Sequence, residues 1–140
     1  MAIDISVKDG IGEVVINNPP VNALDSAGWR AFADGVTALG RRDDVRCVVV
    51  RAEGRGFQAG VDIKELAADG LKIVDVNRGC YDSFAAVYDC PVPVISAVHG
   101  YCMGGGIGIS GASDIVIASE DATFSLPEID RGALGAATHL

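Results

Sequence analysis

The chain has 140 residues, 49% of them hydrophobic, with 19 acidic and 11 basic side chains and a formal charge of -8. That length suits one domain with a core of fair size, and the acidic balance argues against a nucleic-acid-binding surface. No apolar run approaches the roughly 20 residues that span a bilayer. The opening Met-Ala-Ile-Asp-Ile lacks the basic-then-apolar layout of a signal peptide. A cytoplasmic protein is expected.

Ile3, Ile5 and Val7 alternate with polar residues, Lys8-Asp9-Gly10 turns, and residues 13–17 continue extended, which predicts a hairpin. Asn18-Pro19-Pro20-Val21-Asn22-Ala23-Leu24 reads as a rigid loop, because proline restricts its own backbone and its predecessor's. Asp25 or Ser26 can cap the helix that follows. Trp29, Phe32, Ala33, Val36 and Leu39 recur at helical spacing and form its core face, and Gly40 suits its exit. Residues 45–51 predict a strand buried on both faces, as strands in parallel sheets are. A second strand and a glycine-bearing loop come next, with Asp62 capping a short helix through Leu66. Ile73, Val76, Cys80, Phe84 and Val87 then fit a longer helix that ends before Cys90-Pro91.

The most unusual stretch is residues 93–113. A β-branched strand over residues 94–98 leads into Gly104-Gly105-Gly106 and a helix to about Ser113, although glycine costs a helix roughly 1 kcal/mol relative to alanine. Close packing against a strand explains this, and so does a ligand that needs bare N–H groups at a helix start. Residues 114–118 form a further strand, and Asp121 offers a turn after which residues 122–125 are expected to return antiparallel. The repeated order of two extended segments and a helix predicts an α/β architecture of stacked ββα units. Residues 131–140 are rich in small residues and end without a helix cap or a closing strand, as the first part of a longer domain would.

Several other functions fit poorly. Gly106-Ile107-Gly108-Ile109-Ser110-Gly111 matches the spacing of a dinucleotide fingerprint, yet Gly106 lies eight residues past Val98 instead of directly after the strand. No Lys-Ser or Lys-Thr follows the glycines, so there is no P-loop. Cys47, Cys80, Cys90 and Cys102 have no C-x-x-C spacing and read as buried free thiols. His99 and His139 lack partners at metal-binding or triad spacing and read as structural. A non-enzymatic reading, a truncated CoA-binding relative of an enzyme, stands as the alternative from another class.

Two strands, each followed by a loop of small residues, can aim one backbone N–H each at a common point, with Gly60-Val61 and Gly104-Gly105 as the candidates. Such a pair stabilises negative charge on a thioester oxygen, and losing one donor typically costs about 3 kcal/mol of barrier. Here the chain resembles the crotonase family, also called the enoyl-CoA hydratase and isomerase family. The motifs that carry the resemblance are Gly56-Phe57-Gln58-Ala59-Gly60-Val61-Asp62-Ile63-Lys64-Glu65, Gly100-Tyr101-Cys102-Met103-Gly104-Gly105-Gly106 and Pro127-Glu128-Ile129, in the family's order.

The resemblance implies a crotonase-type stacked ββα superhelix of which residues 1–140 are the N-terminal part, without the C-terminal helices. It implies that the N–H groups of Val61 and Gly105 hold the thioester oxygen, beside Gly104. Ala59, Asp62 and Ile63 would lie along the adenine and pantetheine path, with Ala23 nearby, and Pro127 would line the substrate beside Glu128. Coenzyme A enters as part of the substrate and no separate cofactor is implied. The family's trimers, or dimers of trimers, would be the assembly.

The same resemblance bears on the reaction. Hydratases of the family use two glutamates, and here the first of those positions is Gly108 while the second is Glu128. Adding water across a double bond needs one group to activate water and another to deliver a proton, so a single carboxylate disfavours an ordinary hydratase. Glu128 sits among Leu126, Pro127 and Ile129, where desolvation suits proton transfer. A single glutamate fits an enoyl-CoA isomerase, while a missing side chain at Gly108 enlarges the pocket for a bulky substrate. Residues 51–57, 77–80 and 131–140 look like the actinobacterial ring hydrolases of steroid breakdown, which open a bicyclic β-keto acyl-CoA. In that chemistry Glu128 would handle the water or the carbanion, with Asp130 or Arg131 assisting.

Overall fold

The computed structural model describes residues 2–131. The expected hairpin is present: β1 (Ile3–Lys8) and β2 (Ile11–Ile16) pair antiparallel, with Ile3 opposite Ile16 and Lys8 opposite Ile11. Asp9 and Gly10 both adopt positive φ, at 52° and 83°, the geometry that lets a two-residue turn follow the twist of its strands. Helix α1 (Ser26–Gly40) starts at Asp25, whose carboxylate accepts from the Gly28 N–H at 2.7 Å. Its stripe of Trp29, Phe32, Val36 and Leu39 is buried. β3 (Cys47–Ala52), β4 (Gly56–Gln58), α2 (Ile63–Ala68) and α3 (Lys72–Tyr88) follow. Then come β5 (Val94–Val98), β6 (Tyr101–Met103), α4 (Gly105–Ala112), β7 (Ile115–Ala118) and β8 (Thr123–Ser125), and a 3-10 helix closes over Pro127–Arg131.

The strands divide between two sheets. A five-stranded sheet has the order β1-β2-β3-β5-β7, parallel except for the first pair, and a three-stranded parallel sheet has the order β4-β6-β8. In each unit from β3 onward, the first strand joins the large sheet and the second joins the small one. This is the stacked ββα arrangement expected from the sequence.

Three expectations need correction. Residues 122–125 do not return antiparallel, since β8 crosses to the small sheet and pairs parallel to β6, Tyr101 opposite Thr123. The turn at residues 119–122 redirects the chain, and the Thr123 N–H bonds to the Gly100 carbonyl at 2.8 Å, which satisfies the edge of β6 and its approach. β3 is buried on one face only. Val48, Val50 and Ala52 lie under α1, whereas Cys47, Val49 and Arg51 are half-buried, and the Arg51 Nε lies 3.3 Å from the Glu13 carboxylate on that second face. The apolar spacing that predicts α3 does not match its buried face throughout: Ile73 is 42% exposed, and the buried stripe is Val76, Gly79, Cys80, Ser83 and Val87.

The thiols are free, as expected, but unequally covered: Cys80 and Cys102 are buried, Cys47 and Cys90 half-buried. Burial pushes the Cys80 thiol up to about 12. For Cys102, burial raises the value to about 11 against a smaller opposing effect of its Ser110 hydrogen bond. Since the thiolate is the reactive form, a mild alkylating reagent at pH 8 is expected to modify Cys47 and Cys90 in the folded chain and to spare Cys80 and Cys102 until denaturant is added. Peptide mapping by mass spectrometry reads this directly, and labelling of Cys80 without denaturant would contradict the packing of α3.

Candidate active site

The Val61 loop is held by a bridge to the segment before α1. The Leu24 N–H donates to the Gly60 carbonyl at 3.0 Å and the Asp62 N–H donates to the Leu24 carbonyl at 2.8 Å. These bonds straddle Val61 and turn its own N–H the other way, without a backbone acceptor among the described residues. Glu65 of α2 reinforces the joint, accepting from the Ser26 N–H at 2.8 Å and the Ser26 hydroxyl at 2.6 Å. Its carboxylate therefore caps a neighbouring helix, where the N-terminal end of the helix dipole favours negative charge.

The second N–H comes from the start of α4. Gly104 has φ of +52°, which turns the chain from β6 straight into the helix, and its N–H is taken by the Ser125 carbonyl at 3.0 Å. The N–H groups of Ile107 and Gly108 bond back to Gly104, and the Gly105 N–H precedes the intrahelical ladder, as the first donors of a helix do. Gly60, at φ of +91°, abuts this start: a Cβ built there would stand 3.7 Å from the Met103 carbonyl oxygen and 3.8 Å from the Gly105 nitrogen. The two loops thus face each other about one methyl group apart.

Glu128 reaches the same place from the 3-10 helix. A Cβ built on Gly104 would run into the Glu128 carboxylate, 3.1 Å from its Cδ and 3.5 Å from Oε2. Oε2 is buried and has no hydrogen-bond partner among the described residues. A buried carboxylate oxygen without a partner is costly unless a ligand or a proton satisfies it.

The structure therefore gathers Val61, Gly104, Gly105 and Glu128, with Ala23 next to the Leu24 bridge. Ala59 and Asp62 flank the Val61 turn, Asp62 capping α2 by accepting from the Lys64 N–H at 2.9 Å, and Ile63 is 70% exposed at the start of α2. Pro127 and Asp130 are exposed on the 3-10 helix, and Asp130 has no contact with Gly104 comparable to that of Glu128 among the described residues. Arg131 ends that helix. Residues 132–140, including His139, lie outside the described residues. His99 is structural as read, its Nε2 lying 3.0 Å from the Gly54 carbonyl oxygen.

The expectation for Gly108 fails in one respect. No open volume replaces the missing side chain, because Phe84 of α3 fills it: a Cβ at Gly108 would stand 2.8 Å from Phe84 Cε2 and closer still to the rest of the ring edge. Phe84 in turn meets Trp29 edge to face, ring centroids 6.0 Å apart at 85°. The Trp29 ring lies against Gly105, its Cζ2 only 2.6 Å from where a Cβ would be. Trp29, read from its spacing as core, is core and also backs the start of α4. Helical periodicity could not show this, because it identifies the buried face and not its neighbour.

A profile of the enoyl-CoA hydratase/isomerase family matches residues 6–139. The chain belongs to that family. It is 61% identical over 134 residues to a protein of Rhodococcus jostii named (7aS)-7a-methyl-1,5-dioxo-2,3,5,6,7,7a-hexahydro-1H-indene-carboxyl-CoA hydrolase, covering 94% of this chain and 52% of that protein. A Mycobacterium tuberculosis protein of the same name is 60% identical over 135 residues, covering 95% of this chain and 55% of that protein. Among solved structures, DspI of Pseudomonas aeruginosa superposes with a TM-score of 0.91 at 31% identity, over 97% of this chain and 53% of that one. The chain spans about half the length of the curated relatives it matches. The fold is the crotonase fold.

The Phe84–Gly108 contact yields a stability test. Gly108→Ala forces the Phe84 ring to move and is expected to lower the unfolding free energy by about 1–3 kcal/mol, as overpacking does. Combined with Phe84→Leu, the loss should be less than the sum of the two single losses. Strict additivity in denaturant titrations would mean that the two positions do not touch.

Proposed function

We propose that this chain supplies the oxyanion site and the proton-transfer carboxylate of a crotonase-type enzyme that opens a bicyclic, steroid-derived β-keto acyl-CoA by hydrolytic C–C cleavage. The observation that carries the reading is half-buried Glu128, whose Oε2 is shielded and unpartnered among the described residues beside the Gly104–Gly105 turn, while Phe84 fills the place of a second carboxylate at Gly108. The bicyclic ring system comes from the printed names of the two relatives at 60% identity or more.

In the proposed reaction the thioester oxygen accepts from the Val61 and Gly105 N–H groups. Water, giving a proton to Glu128, adds to the ring ketone. Collapse of the adduct breaks the bond between that carbon and the carbon next to the thioester, leaving a carboxylic acid on one side. The electron pair becomes a thioester enolate whose charge rests on the oxygen held by the two N–H groups. Glu128 then returns its proton to the carbon, so the net change is the gain of one water with coenzyme A still attached. One carboxylate suffices because the proton taken at the start is delivered at the end. Asp130 and Arg131 are assigned assisting roles, and Ala23, Ala59, Asp62 and Ile63 line the coenzyme A path. Substrate binding needs no further cofactor on this reading. A trimeric or hexameric assembly, drawn from resemblance, and a cytoplasmic location, drawn from the sequence pattern, go with it.

The test is incubation of the full chain in heavy-oxygen water with a bicyclic β-keto acyl-CoA, a 3-enoyl-CoA and crotonyl-CoA, followed by mass spectrometry. The expected result is one labelled water in the bicyclic product alone, with Glu128→Gln slowing turnover by about 100-fold or more. Migration of the double bond in the 3-enoyl-CoA without added mass would instead make the protein an isomerase, and efficient hydration of crotonyl-CoA would overturn the single-carboxylate argument.

A further inference from the structure

Gln58 is fully buried at the end of β4, inside an otherwise apolar segment. Burying an amide is unfavourable unless its donors and acceptor are used, and here both ends act on one residue. Oε1 accepts from the Gly60 N–H at 2.7 Å, and Nε2 donates to the Gly60 carbonyl at 2.8 Å. The orientation of the amide follows from its partners, since Gly60 N–H can only donate and its carbonyl can only accept. The Gly60 carbonyl also takes the Leu24 N–H, so the residue before Val61 is held from three directions.

The other side of Gln58 touches α4. A Cβ built on Gly106 would stand 3.0 Å from the Gln58 carbonyl oxygen and 3.1 Å from both its Cβ and its Oε1. Glycine at 106 therefore lets Gln58 lie directly against the first turn of the helix that presents Gly105. One side chain contacts both walls of the site.

We infer that Gln58 is a positioning residue that sets the Val61 N–H against the Gly105 N–H, and so tunes the polarisation of the thioester carbonyl. The inference rests on the oxyanion reading of those two groups given above. The Gly60 peptide leads directly into Val61, so a rotation of that peptide re-aims the Val61 N–H. Among the described residues, the Gln58 amide alone fixes both the N–H and the carbonyl of Gly60 at once. Geometry errors of this size matter because a misplacement of about 1 Å can cost about 100-fold in rate.

Two variants of the full chain separate this role from simple packing. Gln58→Met keeps the volume and loses both hydrogen bonds. Gln58→Glu keeps the shape and an acceptor for the Gly60 N–H but, measured at a pH high enough to ionise it, sets a second acceptor against the Gly60 carbonyl. The primary measurement is the infrared carbonyl stretch of a bound acyl-CoA carrying a heavy carbon in its thioester group, because it reports polarisation without requiring turnover. The unsubstituted chain is expected to lower that frequency relative to the free thioester, and in both variants the band should move back toward the free value. On the substrate that the unsubstituted chain turns over, kcat should fall about 10- to 100-fold with KM little changed. A folded variant that keeps both the lowered frequency and kcat would overturn the positioning role while leaving the oxyanion reading intact. If the unsubstituted chain itself leaves the thioester frequency unchanged, the oxyanion reading fails and this inference falls with it.

Discussion

The close approach of the Gly60 turn to the Gly104–Gly105 turn constrains everything around it. Gly60 and Gly104 have positive φ, and the atoms nearest to a Cβ built on Gly60 are backbone atoms of residues 103–105. The approach brings turns from two different ββα units side by side, and Glu128 rests against Gly104 from a third. The Leu24 bridge, the Glu65–Ser26 contacts and the Gln58 amide hold that approach from the outside. Each is a polar interaction in a shielded place, where an unmade hydrogen bond is more costly than at the surface.

Behind the site stands an aromatic layer. Trp29 from α1 backs Gly105, Phe84 from α3 fills the notch at Gly108, and the two rings meet edge to face. Such a pair contributes about 0.5–1.5 kcal/mol beyond its buried area. Its greater effect here is positional, because it transmits the packing of α1 on α3 to the start of α4. The Ser83 hydroxyl, donating to the Trp29 carbonyl at 2.9 Å, and the contact of Gly79 with Trp29 Cβ set the spacing of those two helices. Volume at Gly108 is thus exchanged between elements: the side chain missing from α4 is replaced by one from α3. The chemical consequence is an apolar ring at that position.

Local pattern made much of this legible. The hairpin, the capped α1, the long α3 and the strand entering the glycine run all depend on contacts within a few residues, so periodicity and turn residues reveal them. The direction of β8 was not legible, because a turn at Asp121 looks the same whether the chain returns to its own sheet or crosses to another. Arg51 marks a similar limit: an apolar run suggests two buried faces, but whether a second layer covers β3 depends on what packs there.

The sequence by itself determined the family, the α/β order of elements and the residues offered to the site, since motifs at Gly60-Val61, Gly104-Gly105 and Pro127-Glu128 are short, ordered and chemically specific. It also placed Gln58 in view without any role. Only the tertiary structure decided that Gln58 clamps Gly60, that Glu128 lies on Gly104 and that Phe84 occupies the space beside Gly108. The physical reason is the same in each case. These contacts join residues 2 to 24 positions apart through space, and their sign depends on distances of a few tenths of an ångström that no pattern of residue types encodes.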